Sequence, residues 1–126
     1  MVIEGLYYTE EHEWARIEGD IATIGITDHA QELLGEITFV ELPIVDKEVE
    51  QKNELAVVES SKAASDVYAP VTGIVTKINS ELESAPEKIN QDCYNTGWIC
   101  TIEITDKSTI DNLMNSEQYE TYLKGL

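Results

Sequence analysis

The stretch VVESSKAASDVYAPVTG, residues 57–73, decides the fold of this chain. Two runs rich in β-forming residues, 55–60 and 64–68, flank a segment of small residues around Lys62, the single basic residue between positions 53 and 76. Two such runs joined by a short polar segment predict a β-hairpin. Because the tips of loops are exposed and accessible, the sequence predicts a lysine presented to solvent at the tip of this hairpin.

The rest of the chain carries further short strands separated by glycine and proline turns. Strands are predicted at residues 14–17, 21–26, 37–42, 74–78 and 98–104, with turns at 18–20 and 70–73. Short helices are predicted at 29–34, between an N-cap at Thr27-Asp28 and Gly35, at 80–84, after a cap at Ser108, and at 116–123. This order predicts a mostly β protein, a flattened β-barrel or sandwich with helices at the periphery and the C-terminus. No linker interrupts it, so residues 1–126 are expected to form a single domain.

The charge of the chain excludes two classes of partner. The 8 Lys and Arg residues stand against 25 Asp and Glu residues, which gives a formal net charge of −17. Phosphate backbones and anionic membrane surfaces repel such a chain, so neither nucleic acid nor membrane is an expected partner. No apolar run has the length of a membrane span, no secretory signal is recognised, and Cys93 and Cys100 are expected to stay reduced. These features predict a cytoplasmic protein, or one of the mitochondrial matrix only if a transit peptide has been removed.

The sequence contains no pattern typical of a catalytic or metal site. His12 and His29 are the only histidines, and without a spaced set of Cys and His ligands no metal site is predicted. The serines around Lys62 lack the context of a nucleophile elbow or a catalytic triad. The residues alone leave two interpretations of Lys62 open. It is either the target of a modifying enzyme, since acylation removes its charge, or an ordinary solvated lysine in a turn.

The stretch around Lys62 closely resembles the lipoyl-attachment motif of the glycine cleavage system H protein family. Four other segments resemble that family in the same order: HEW at 12–14, ATIGITDHAQELLGEI at 22–37, FVELP at 39–43 and GW at 97–98. The lysine lies between Ser61 and Ala63, whereas a biotinyl domain typically has methionines there. Gly73 matches a turn glycine that is common in lipoyl domains. The resemblance runs from about residue 8 to residue 123.

Three positions depart from the pattern of the family. Asp46 stands where the partner of the turn glycine is usual, and because Asp tolerates positive φ the turn is expected to survive. Cys93 and Asn95 stand where Pro and Gly are common, so the loop around them is expected to differ in shape. Glu11 falls where the family often has Ser, which puts a hydroxyl contact at that position in doubt.

The resemblance implies a fold of the lipoyl/biotinyl (hybrid hammerhead) type and a carrier that is not itself a catalyst. Lys62 would bear lipoate in amide linkage, attached by a lipoate ligase or an octanoyltransferase. Glycine decarboxylase (P protein) would load the lipoyl arm with an aminomethyl group, aminomethyltransferase (T protein) would unload it, and dihydrolipoamide dehydrogenase (L protein) would reoxidise it. The cofactor would supply the chemistry and the protein its attachment and orientation.

The resemblance also implies roles for four further residues. Glu59 and Ser61 flank the lysine and resemble recognition elements for the lipoylating enzyme. Glu13 and Asp66 match positions that line the cleft for the aminomethyl-lipoyl group, where a carboxylate would hold the cationic amine by a charge-assisted hydrogen bond. The alternative for both pairs is an ordinary solvated position.

Two other functions stay open at this point. One is an H-like protein that relays lipoyl or octanoyl groups to other lipoyl domains, a role that also requires Lys62. The other is a free-standing binding module that never carries lipoate.

Overall fold

The computed structural model describes all 126 residues and contains nine strands, four α-helices and one 3₁₀ helix. The strands in chain order are β1 (Tyr7–Tyr8), β2 (Glu13–Glu18), β3 (Ile21–Ile26), β4 (Ile37–Glu41), β5 (Glu48–Val49), β6 (Glu54–Ser60), β7 (Ala64–Tyr68), β8 (Thr72–Ile78) and β9 (Cys100–Asp106). The helices are α1 (Asp28–Leu34), α2 (Glu81–Ser84), α3 (Lys88–Asp92), the 3₁₀ helix (Lys107–Asn112) and α4 (Ser116–Lys124). No helix has both the length and the apolar character that a membrane crossing requires.

The strands form two antiparallel sheets that do not close into a barrel. The larger sheet has six strands in the order β1-β2-β3-β9-β8-β5, and the smaller has three in the order β4-β6-β7. Alternate side chains of both sheets point into one cluster of 26 buried residues, which includes Trp14, Ile24, Val58 and Ile102. The mostly β prediction is confirmed, and of its two forms the sandwich is the observed one.

Local signals in the sequence place the end of α1 correctly and its start to within one residue, because Asp28 belongs to the helix and Thr27 alone is the N-cap. The Thr27 hydroxyl accepts a hydrogen bond from the Ala30 amide at 3.3 Å, and Gly35 ends the helix with φ +82°. A side chain at an N-cap satisfies an otherwise free amide, and glycine adopts positive φ without a steric cost. The expected tolerance of Asp46 is also confirmed, because this residue turns the chain with φ +75°.

Three predicted boundaries are wrong. Gly73 does not lie in a turn but inside β8, where an added Cβ would come within 2.0 Å of the Glu103 carbonyl oxygen of β9; close backbone approach, not turn geometry, requires glycine there. The last strand begins at Cys100, because the Asn79 side chain binds the carbonyl of Trp98 at 2.7 Å. The helical segment near Ser108 is a 3₁₀ helix whose cap is Asp106.

The sequence analysis missed three short elements: β1, β5 and α3. Each strand has only two residues, and α3 has five, so none shows a readable hydrophobic period. They form because tertiary neighbours offer hydrogen bonds, as when Tyr8 of β1 exchanges two backbone bonds of 2.8 Å with Met114.

Candidate functional site

Lys62 lies at the tip of the β6–β7 hairpin, as predicted. The last paired residues are Glu59 and Ala64. The hairpin is closed by a bond of 2.8 Å from the Ser60 amide to the Ala63 carbonyl. The Ser60 hydroxyl accepts hydrogen bonds from the amides of Lys62 and Ala63, both at 3.2 Å. Such local side-chain bonds replace the strand ladder where the chain turns, so Ser60 holds the backbone of the lysine in a defined turn.

The Lys62 side chain extends over the C-terminal end of α1. An added Cβ on Gly35 would lie 2.9 Å from Lys62 Cε and 3.4 Å from Nζ. The last turn of α1 has no basic residue of its own, and a cation is favourable at this end of a helix. No carboxylate lies within 4.0 Å of the Lys62 ammonium. The amine is exposed and free of a salt bridge that a modifying enzyme would have to break.

Glu59 and Ser61 flank the lysine in different ways. Ser61 is exposed in the turn and makes no hydrogen bond through its side chain. Glu59 lies on β6, half-buried, opposite Phe39 of β4 and Ala64 of β7. Both side chains are within reach of an enzyme that approaches the hairpin tip.

Glu13 is not a solvated surface carboxylate. It begins β2 and is only 2 % exposed. One carboxylate oxygen accepts a hydrogen bond from the Thr9 hydroxyl, and the other accepts one from the Tyr68 amide at 3.1 Å. Burial is the main cause that raises the pKa of Glu13 to about 7. The two hydrogen bonds lower this pKa, and the charge of Glu11 raises it by a smaller amount. The group therefore changes protonation near neutral pH.

Glu13 lines a cavity of about 590 Å³ at the surface. Its wall carries three carboxylates and one ammonium group, that of Lys52. The cavity is lined by Glu10, Glu11, Glu13, Gln51, Lys52, Tyr68, Ala69, Asn112 and Leu113. An excess of carboxylates around a pocket favours a cationic ligand.

Asp66 lies between the hairpin tip and this cavity but does not line it. It is exposed on β7, two residues before Tyr68, so both side chains leave the same face of the strand. The charge of Asp66 is the main cause that raises the pKa of Tyr68. Strand β7 thus leads from Lys62 past Asp66 to Tyr68, whose amide binds Glu13.

Two residues of this site were missed by the sequence analysis, Thr9 and Tyr68. Tyr68 contributes a backbone amide to Glu13, and a backbone group leaves no signal in the sequence. Thr9 reaches Glu13 because the chain between them turns back at His12, which has φ +68°, and the Glu13 amide in turn donates to the Thr9 hydroxyl at 3.1 Å. A positive φ at a histidine is not readable from the residue type.

His12 and the two cysteines lie in structural positions. His12 Nδ1 is 2.8 Å from the Tyr119 hydroxyl, which is 2.9 Å from the Thr27 hydroxyl, and this network joins α4 to α1. Both cysteines are buried and unbonded, and burial raises the pKa of each thiol to about 12. No group of three or more metal-ligating side chains is present.

Two packed antiparallel sheets with a lysine at the tip of a tight hairpin are the arrangement expected of the lipoyl/biotinyl (hybrid hammerhead) fold class. The family model described as Glycine cleavage H-protein matches residues 6–125. The chain belongs to this family.

Relatives of known name are similar over nearly the whole chain. It is 51 % identical over 122 residues to the glycine cleavage system H protein of Thermoanaerobacter pseudethanolicus, with 97 % of this chain and 96 % of the relative covered. It is 54 % identical over 115 residues to that of Pseudoalteromonas translucida, with 90 % and 89 % covered. The crystal structure of a glycine cleavage system H protein from Mycobacterium marinum matches with a TM-score of 0.89 and 32 % identity, covering 99 % of this chain and all of that one.

Proposed function

We propose that this protein is the lipoyl carrier of a glycine cleavage system and that lipoate is attached to Lys62. The observation that carries the proposal is the free ammonium group of Lys62, presented on a hairpin tip that Ser60 organises, in a member of the H-protein family. The carrier would take an aminomethyl group from glycine decarboxylase (P protein) to aminomethyltransferase (T protein). Dihydrolipoamide dehydrogenase (L protein) would then reoxidise the dithiol of the lipoyl arm to the disulfide.

The residues around Lys62 fit an amide-linked cofactor. Ser61 and Ala63 are small and exposed, and no carboxylate holds the amine. When bound, lipoate supplies a redox-active disulfide, and the chain supplies its attachment and position.

We propose that Glu59 and Ser61 are read by the enzyme that lipoylates Lys62, either a lipoate ligase or an octanoyltransferase. An enzyme that reacts with Nζ must contact the turn on both sides of it. Glu59 offers a carboxylate and Ser61 a hydroxyl that has no partner within the chain.

We propose that Glu13 and Asp66 hold the cationic amine of the cargo. Asp66 offers an exposed carboxylate on the route from the hairpin tip, and Glu13 offers a carboxylate fixed by Thr9 and Tyr68 in the cavity wall. A charge-assisted hydrogen bond between carboxylate and ammonium is stronger than one between neutral groups. The buried position of Glu13 would limit the access of water to a cargo amine bound to it.

The remaining expectations belong to the same proposal. The net charge of −17 suits partners with basic faces, and the bacterial relatives support a cytoplasmic setting. All 126 residues would act as one domain, in line with their single hydrophobic cluster.

The test is mass spectrometry of the intact protein and its peptides after incubation with a lipoate ligase, lipoate and ATP. We expect one lipoyl increment on Lys62, complete loss of it in Lys62→Arg, and an unchanged increment in Lys77→Arg, which alters another exposed lysine. Glycine-dependent loading by P protein would follow only with the modified wild type. An unmodified wild type, with the ligase active on a second lipoyl domain, would refute the proposal.

A further inference from the structure

The outer face of the three-stranded sheet is a surface that the proposed function has not used. Val40 of β4 and Val58 of β6 are paired and buried, so the residues on either side of them point outward. The pairing registers set these outward residues in two rows. The first row is Phe39, Glu59 and Ala64, and the second is Glu41, Val57 and Asp66.

Phe39 is the apolar centre of this face and is 51 % exposed. A single exposed hydrophobic residue is ordinary on a protein surface. Here, however, the aromatic ring lies in the row next to the hairpin tip, and its neighbour Val57 in the second row is only half-buried. Aromatic side chains are enriched where proteins bind one another.

The rest of the face is acidic and has no internal counter-ion. Glu41, Glu59 and Asp66 take part in none of the three salt bridges of the molecule. No outward residue of the two rows is basic. Unpaired carboxylates on the same face as an exposed aromatic ring complement a partner face with an apolar groove and a rim of Lys and Arg.

The position of the two rows relative to Lys62 indicates which protein binds this face. Glu59 precedes Lys62 by three residues and Ala64 follows it by two, so the first row adjoins the lysine directly. An enzyme that forms a bond to Nζ must place its active site over the tip, and its surface then covers the adjoining residues. An enzyme that acts at the far end of a long arm has no such requirement.

We propose that the outer face of the β4-β6-β7 sheet, centred on Phe39, is the docking surface for the enzyme that acylates Lys62. This inference rests on the proposed function, which makes Lys62 an acylated residue. In that reaction the acyl adenylate, made from the acid and ATP with release of pyrophosphate, loses AMP as its carbon–oxygen bond breaks. An amide bond forms between Nζ and the acyl carbon, and the Lys62 ammonium group gives up two protons to solvent. Phe39 enters an apolar groove of the enzyme, and Glu41 and Glu59 face its basic rim.

The first experiment measures ligase kinetics with the unmodified protein as the varied substrate. Phe39→Ala should raise KM about tenfold and leave kcat within about twofold, because truncation of a central aromatic contact weakens binding without touching the amine. The KM of Phe39→Leu should lie between the KM of the wild type and that of Phe39→Ala. The matched control is Ile21→Ala, which shortens an exposed hydrophobic side chain on the other sheet and should leave KM unchanged.

The second experiment tests the acidic rim through salt dependence. Glu41→Gln should raise KM at low ionic strength and flatten its dependence on salt, because one screened attraction is lost. Glu117→Gln removes an exposed carboxylate from α4 and should do neither. Thermal unfolding of each variant checks that the fold is intact.

The outcomes separate this inference from the proposed function. If the wild type is acylated on Lys62 and folded Phe39→Ala retains the KM of the wild type, the docking surface is wrong while the carrier function stands. If Phe39→Ala lowered kcat and left KM unchanged, the docking surface would also be wrong. If the wild type itself is not acylated by an active ligase, the proposed function fails first.

Discussion

The charged groups of the Lys62 hairpin and the Glu13 pocket lie in opposite environments. The Lys62 ammonium is exposed, has no carboxylate within 4.0 Å, and only its backbone is held, by Ser60. The Glu13 carboxylate is buried, and Thr9 and Tyr68 each bind one of its oxygens. The Lys62 side chain is thus left without a fixed partner, whereas the Glu13 carboxylate is held in one position by its neighbours.

The contrast extends to the energetic cost of each charge. The Lys62 side chain stays exposed in the folded protein, so folding removes little of the water around its charge. Glu13 loses water on folding, and two hydrogen bonds offset only part of that loss, which is why its pKa rises. Substitutions at the two regions should therefore differ in whether they alter stability and at which pH.

The largest expected effect is a pH dependence of stability that belongs to Glu13. Its pKa is about 7 in the folded protein and 4.5 in the reference state, so the folded state binds more protons between these values and stability falls as pH rises through that window. Glu13→Gln removes this contribution. From pH 4.5 to 7.5 the unfolding free energy of the wild type should fall relative to the variant by about 3 kcal/mol.

Urea unfolding of the wild type and Glu13→Gln at several pH values would measure this difference. The contributions of the other titrating groups are the same in both proteins and cancel. Asp66→Asn is the control, because this carboxylate is exposed and should produce no comparable slope. A difference between wild type and Glu13→Gln that stays constant with pH would show that Glu13 does not titrate in this window.

A smaller effect on stability is expected when the Thr9 hydroxyl, which donates a hydrogen bond to Glu13, is removed. Thr9→Val keeps the shape of the side chain but deletes the hydroxyl that binds the carboxylate. Since that bond lowers the pKa of Glu13, the pKa should rise further, and stability at neutral pH should fall by about 2 kcal/mol. Thr9→Ser should restore both values. NMR titration of the labelled Glu13 carboxyl carbon measures the pKa, and a Thr9→Val protein that titrates like the wild type would contradict the prediction.

The smallest effect is expected at the hairpin tip. Ser60→Ala removes the acceptor of the Lys62 and Ala63 amides, and because water replaces it the cost should be about 0.5 kcal/mol. Hydrogen exchange at the Lys62 amide should nevertheless become faster. Ser61→Ala is the matched control, since this hydroxyl binds neither amide. Equal exchange rates in the two variants would mean that Ser60 does not order the turn.

The two regions also differ in how far the sequence predicted them. The hairpin is local: alternating β-formers, small turn residues and one lysine lie within a few positions, and the tip was located correctly. The pocket is assembled from the segment at 10–13, the turn at 51–52, the end of β7 and the C-terminal end of the 3₁₀ helix. The burial of Glu13 depends on that assembly, and no local pattern indicates it.

The same division holds for the fold. The caps of α1 and the hairpin at Gly19 follow from short-range preferences of the residues and were predicted. The turn at Asp46 was expected from the family resemblance, and the tolerance of Asp for positive φ is the local part of that expectation. The two-residue strands β1 and β5 and the role of Gly73 depend on what lies opposite them, and they were missed or misassigned. A strand of two residues has no preference strong enough to form alone.

The sequence by itself determined the strand content, the acidic character and the presented lysine, because composition, periodicity and turn chemistry are properties of neighbouring residues. Only the tertiary structure decided that the sheets remain an open sandwich, that Glu13 is a buried group with a pKa near 7, and that Phe39 lies among carboxylates beside Lys62. These features depend on desolvation and on the register between strands. Both are set by contacts between residues that are distant in the chain.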